Sequence, residues 1–126
     1  MKPRAVSLLL ACVTLPLQAQ TITFSKQQVD AGQALYKEIC QLCHGTTLAN
    51  AQFATPLKGE AFQDKWKGKT VGELLTFVYE KMPPDKLKSL TTDQYNNAVA
   101  FILSKNGIGT SDTTLDSKQS SVLLPW

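Results

Sequence analysis

Two cysteines and a histidine in the run Cys40-Gln41-Leu42-Cys43-His44 constrain this chain more than any other feature. The spacing C-x-x-C-H is typical of covalent attachment of a c-type haem. Each thiol can add across a haem vinyl group to form a thioether bond, and the imidazole of His44 can then bind the iron. A zinc knuckle, a redox dithiol and a disulfide are the alternatives. The sequence disfavours the first two, because the expected mature chain has no third cysteine, no second histidine and no βαβ pattern.

The amino-terminal residues predict export. A cationic start over residues 1–4 precedes an apolar run over 5–17, and Ala19 offers a small residue for cleavage, so residues 1–19 read as a secretory signal peptide. The run is too short to favour a transmembrane helix. A lipoprotein signal is the alternative, because Leu9-Leu10-Ala11-Cys12 resembles a lipobox in which Cys12 would carry the lipid. The predicted location is therefore periplasmic, where bacteria attach haem after translocation.

Cleavage after Ala19 would leave residues 20–126, a length typical of one small domain. That part contains lysines and acidic residues in nearly equal numbers and no arginine, which gives no general case for nucleic-acid binding. The expected folded domain covers 20–109. From residue 110 the polar composition predicts a mobile C-terminal tail, although the apolar end over 122–126 is expected to fold back onto the domain.

The domain is predicted to be all-α. Three helices are expected to begin at the capping-type sequences 25–28, 70–73 and 91–94, each followed by an apolar stripe. The first helix runs directly into the C-x-x-C-H motif. Pro83-Pro84 should end the second helix, Asn106-Gly107 should end the third, and a further short helix is expected near Glu60 to Trp66.

Met82 is the candidate for a second iron ligand. It is the only methionine in the expected mature chain, as His44 is the only histidine. A thioether and an imidazole suit a low-spin haem and raise its reduction potential. The prolines at 83 and 84 would stiffen the segment that carries the sulfur. The alternative role for Met82 is to fill space in the core.

From about Gly32 to Gly109 the chain resembles the class I c-type cytochromes. The resemblance is carried by the motif at 40–45 and by Pro56-Leu57-Lys58-Gly59, Lys65-Trp66 and Lys81-Met82-Pro83-Pro84. It implies the small cytochrome c fold around one covalent haem c with its iron, with His44 as the proximal ligand and Met82 as the distal ligand.

The resemblance also implies supporting roles for other residues. Pro56 would supply the carbonyl that accepts the proton of the proximal imidazole. Trp66 would close the haem edge and bond a propionate, or else serve as a packing aromatic. Gly32 and Tyr36 would meet Ala98 and Phe101 where the first and last helices cross.

The expected function is single-electron transfer by a carrier rather than by an enzyme, because two protein ligands leave no open iron position for a substrate. A narrower similarity is to small cytochromes that accompany periplasmic quinoprotein alcohol dehydrogenases. It implies a dehydrogenase as electron donor and a cytochrome or terminal oxidase as acceptor. The alternatives are a tightly bound haem subunit of a dehydrogenase complex and a haem-based gas sensor with a labile Met82.

Lysines near the candidate ligand predict where a redox partner docks. Lys81, Lys86 and Lys88 surround Met82 in the sequence, and a second run flanks Trp66. Such a cluster can guide an acidic redox protein into a brief encounter. Contact with a membrane is expected only if Cys12 is lipidated.

Overall fold

The computed structural model of the protein describes residues 1–4, 11–16 and 20–126. Most of the predicted signal peptide's apolar run, the Leu9-Leu10 half of the lipobox and Ala19 lie outside the described residues. Cys12 is described and is exposed. Cleavage and lipidation therefore stay predictions. Among the helices of the described ranges, none combines the length and apolar character that a bilayer span requires.

The described chain is helical, as predicted. The five α-helices, one π-helical turn and one 3-10 turn of the described residues are, in chain order, α1 (Lys26–Leu35), the π-helical turn (Tyr36–Cys40), α2 (Gln41–His44), α3 (Glu60–Trp66), α4 (Val71–Lys81), α5 (Thr92–Lys105) and the 3-10 turn (Ser117–Gln119). The described residues form no β-strand, and Thr70 and Leu123 make an isolated antiparallel bridge.

Helices α1, α4 and α5 begin where the capping sequences predicted. Ser25, Thr70 and Thr91 each accept a bond from the backbone N–H three residues later, and the side chain of that later residue bonds back. Each pair satisfies two amide groups that a helix start leaves without partners. The first helix differs from the prediction in one respect, because its last turn, Tyr36–Cys40, is π-helical.

The predicted crossing of the first and last helices is confirmed. A Cβ atom on Gly32 of α1 would overlap the Asn97 carbonyl oxygen of α5 and would lie 2.8 Å from the Phe101 Cβ. The rings of Tyr36 and Phe101 lie 5.3 Å apart in the same interface. Only glycine permits helix backbones to approach this closely, so Gly32 sets the separation of α1 and α5.

The segment after residue 109, for which the composition predicted a mobile tail, packs against the domain. The side-chain amide of Gln28 bonds both backbone groups of Leu115, at 3.0 and 2.7 Å, and Leu115 is fully buried. Gln119 bonds both backbone groups of Thr23 in the same way, at 3.0 and 2.8 Å. These amides satisfy polar groups that would otherwise be unpaired beside the core, which is why a polar segment can pack here.

The expected return of the last residues to the domain is confirmed. Val122 and Leu124 are buried, and the Trp126 ring packs at 5.7 Å from Phe62. The Val71 amide donates to the Val122 carbonyl at 2.9 Å. The segment after residue 109 is thus part of the folded domain.

Candidate cofactor-attachment site

The cysteine motif lies at the end of the first helical stretch. Cys40 ends the π-helical turn, and Cys43 and His44 belong to α2. Gly45 ends α2 with a φ of +86°, and a Cβ there would lie 2.8 Å from the Asn50 backbone. Glycine is therefore required immediately after the histidine, both for its backbone conformation and for space.

Cys40 and Cys43 are free thiols, each of intermediate exposure. Burial, together with the neighbouring Cys43, raises the pKa of Cys40 to about 11. Redox dithiols react through the thiolate, a form that this environment disfavours at Cys40. In the part of the chain that the structure describes, no three His, Cys, Asp or Glu side chains are grouped so that they could hold a metal ion.

His44 is buried, with 7% of its surface exposed, and its Nδ1 lies 2.9 Å from the Thr55 carbonyl oxygen. A carbonyl oxygen can only accept a hydrogen bond, so Nδ1 must carry the proton. An imidazole with its single proton on Nδ1 keeps a lone pair on Nε2, which is the atom that can bind a metal. This donor set, two free thiols beside an oriented imidazole, fits a covalently attached haem.

The prediction that Pro56 supplies this carbonyl is wrong, because the acceptor is Thr55. The two residues share one peptide bond, and proline restricts the residue before it to extended conformations. Pro56 therefore acts as the neighbour that limits the backbone of Thr55.

Asn106 ties the segment that contains Thr55 to the end of α5. Its Nδ2 donates to the Leu57 carbonyl at 2.9 Å, and its Oδ1 accepts from the Gly59 amide at 3.0 Å. Sequence reasoning treated Asn106 only as a helix end and missed this role. No local pattern signals it, since the bonds span 47 to 49 residues.

Tyr36 bonds the backbone of the residue that follows the cysteine motif. Its hydroxyl donates to the Gly45 carbonyl at 2.6 Å, directly after His44. Burial, together with the nearby Cys40, raises the pKa of Tyr36 to about 12. The hydroxyl thus keeps its proton and remains a donor at neutral pH. The sequence predicted Tyr36 only as a residue of the helix crossing.

Met82 lies directly after α4 and is partly exposed. Its amide donates to the Val78 carbonyl at 3.0 Å, and its carbonyl accepts from the Tyr95 hydroxyl at 2.9 Å. The Met82–Pro83 peptide bond is cis. None of these bonds joins Met82 to the cysteine motif, so ligation by its sulfur stays a prediction.

Trp66 is 5% exposed and lies between two aromatic side chains. Its ring is 6.4 Å from Phe62 and 5.4 Å from Phe77, and the Lys65 Nζ is 4.7 Å from the Phe77 centroid. This environment supports a packing role for Trp66. A bond from its indole to a propionate stays a prediction.

Comparison with known proteins agrees with this chemistry. A family model described as "Cytochrome C oxidase, cbb3-type, subunit III" matches residues 27–102, more than half of the chain. The match begins in α1 and ends in α5, so it includes the cysteine motif and Met82. Searches of curated proteins and of solved structures gave no significant match. The chain therefore belongs to this family of c-type cytochrome domains, whose cofactor is covalently bound haem c with its iron and whose function is haem-based electron transfer.

Proposed function

We propose that this chain is an exported carrier of single electrons. Cys40 and Cys43 would hold haem c covalently, and His44 and Met82 would bind its iron. The observation that carries the proposal is the buried imidazole of His44, whose Nδ1 is fixed by the Thr55 carbonyl and whose Nε2 is left for the iron. When bound, haem supplies a ferric/ferrous couple that takes up and releases one electron.

The chain orients the proximal ligand through its backbone. The bond from His44 to Thr55 selects one tautomer and one ring orientation, which increases the basicity of the coordinating nitrogen. Asn106 fixes the neighbouring residues Leu57 and Gly59 to α5. The orientation of His44 therefore depends on the packing of the last helix as well as on the motif itself.

Composition and position support Met82 as the distal ligand. Met82 is held at the end of α4, and Pro83 and Pro84 restrict the chain that follows it. A neutral thioether raises the reduction potential relative to harder ligands. With His44 and Met82 both binding the iron, no open position would remain for a substrate, so the chain would act as a carrier and not as a catalyst.

A periplasmic dehydrogenase is the proposed donor, and a cytochrome or a terminal oxidase is the proposed acceptor. The family description names a subunit of an oxidase, which supports an oxidase as the acceptor and keeps a tightly bound redox subunit as the second candidate. The similarity to cytochromes of quinoprotein alcohol dehydrogenases supports the donor. Co-purification with a catalytic subunit at high salt would favour the second candidate.

The exposed lysines beside Met82 are the proposed contact with the partner. Lys81 and Lys86 are exposed, and the Lys88 ammonium is held 5.4 Å from the Tyr79 ring centroid. Positive charges at these positions suit a brief association that is guided by charge, in which partners bind and dissociate quickly and do not bind tightly.

Attachment and export are tested together on protein purified from an exporting host. The intact mass of the wild type should equal a chain that begins near Gln20 plus one haem. The double variant Cys40→Ala/Cys43→Ala should retain no haem after acid–acetone extraction, because both thioether bonds are lost. Cys12→Ala is the matched control and should keep the haem. Acid-resistant haem in the double variant contradicts the proposal, and diacylglycerol on Cys12 would establish the lipoprotein alternative.

A further inference from the structure

The bond between Tyr95 and Met82 connects two helices at the candidate ligand. Met82 follows α4, Tyr95 lies in the first turn of α5, and the hydroxyl donates to the Met82 carbonyl at 2.9 Å. We propose that Tyr95 is a positioning residue, which holds the backbone of Met82 and so limits how readily its sulfur leaves the iron. The inference rests on the proposed function, in which Met82 is the distal ligand.

The Met82 carbonyl has few local partners. Carbonyls at the end of a helix lack an intrahelical donor, and the next two residues, Pro83 and Pro84, carry no N–H group. The amide of Met82 is already bonded to Val78 in α4. The Tyr95 hydroxyl therefore completes the bonding of the Met82 backbone, which is fixed to α4 on one side and to α5 on the other.

The Tyr95 ring is itself held in place. Only 2% of its surface is exposed, and it packs edge-on against Tyr79 at 5.3 Å. The Lys88 Nζ lies 5.4 Å from the Tyr79 ring centroid on the side of the loop. Packing on this scale restricts ring rotation, so the hydroxyl is presented to Met82 at a defined position.

The chain after Met82 is less constrained. Residues 84–89 are exposed, and the backbone bonds described within this segment are turns, from the Lys86 amide to the Pro83 carbonyl and from the Ser89 amide to the Lys86 carbonyl. These bonds shape the loop without attaching it to another helix. The bond to Tyr95 is thus the polar contact that transmits the position of α5 to Met82.

The test measures release of the sulfur on the ferric, haem-loaded protein. Imidazole is mixed in excess, and displacement of Met82 is followed by loss of the weak near-infrared band that reports sulfur–iron coordination. Tyr95→Phe keeps the ring and removes the hydroxyl, and we expect displacement to accelerate about three- to tenfold, the equivalent of one net hydrogen bond. Tyr79→Phe is the matched control and should displace at the wild-type rate, because Tyr95 is the donor to Met82.

A second measurement does not depend on whether the Met82 sulfur binds the iron. Amide hydrogen exchange of segment 82–89 should be faster in Tyr95→Phe than in Tyr79→Phe at equal overall stability. If Tyr95→Phe shows the wild-type rates of Met82 displacement and of amide exchange, the inference is overturned, whereas ligation by Met82 is unaffected. Survival of the near-infrared band in Met82→Ala would overturn the ligation and this inference with it. The two failures are therefore distinguishable.

Discussion

The crossing of α1 and α5 is closely packed, whereas the loop over residues 83–89 between α4 and α5 is mostly exposed. The crossing brings Gly32 against the Asn97 backbone and buries the rings of Tyr36 and Phe101. The loop is held by turn bonds of its own and by the polar contact of Met82 with α5. The protein thus fixes the frame around the cysteine motif by packing, and it fixes Met82, the proposed distal ligand, by a small number of hydrogen bonds.

The energies of the two regions differ accordingly. Burial of one large apolar side chain contributes about 1.5–3 kcal/mol, and the crossing contains several. One hydrogen bond contributes about 1 kcal/mol. A change in the loop should therefore alter ligation and leave the helices intact, whereas a change at the crossing should lower the stability of the whole domain.

The largest expected effect is the loss of ligation in Met82→Ala. The near-infrared sulfur–iron band of the oxidised protein should disappear completely, because the expected mature chain contains no other thioether. The far-UV helical signal should change little. Leu87→Ala, which alters an exposed side chain of the same loop, is the control and should keep the band. If the band remains in Met82→Ala, a different distal ligand is present, and a lysine becomes the next candidate.

Gly32→Ala should lower the free energy of unfolding by about 1–3 kcal/mol, since the new methyl group overlaps the Asn97 carbonyl and must separate α1 from α5. Alanine's helix preference of about 1 kcal/mol opposes this loss but is the smaller effect. Denaturant unfolding of the haem-loaded protein provides the measurement. Gly109→Ala is the control, because a Cβ at that position meets no atom within 4 Å. A stability at or above that of the wild type would show that the two helices can separate without cost.

The smallest expected effect concerns the partner. Lys86→Glu should slow bimolecular electron transfer several-fold at low ionic strength, because it reverses a charge beside Met82. The difference in rate between the variant and the wild type should become smaller as salt is added. Lys118→Glu makes the same change in an exposed residue of the C-terminal segment and should have less effect. Stopped-flow rates and the haem spectrum are measured for both variants. Rates that respond neither to salt nor to Lys86→Glu would indicate an apolar docking surface.

The sequence predicted what local chemistry determines. Capping pairs such as Thr70 with Glu73 mark helix starts within four residues, and the cysteine motif specifies its own cofactor. Contacts made across the fold were missed. The bonds from Tyr95 to Met82 and from Asn106 to Leu57 depend on how separate helices pack, and no nearby residue signals them.

Two differences between the sequence-based expectations and the structure have the same origin. The Pro56 assignment was one residue too far along the chain. A family pattern indicates which segment supplies the carbonyl, but it does not show which of two adjacent carbonyls accepts the bond from the imidazole. The tail was predicted from its polar composition, yet Gln28 supplies the partners that let Leu115 become buried. Composition counts polar groups but does not reveal which of them are satisfied by a distant side chain.

The pairing of Gln119 with Thr23 has a consequence for the order in which the chain folds. It joins residues 96 positions apart, and Gln28 reaches 87 positions to Leu115. Contacts of such long sequence separation carry a high loop-closure entropy and form late. In a chain that emerges amino end first, the motif cysteines at 40 and 43 therefore precede residues 115 and 119, whose contacts close the domain. We therefore expect Cys40 and Cys43 to be accessible for haem attachment until that closure.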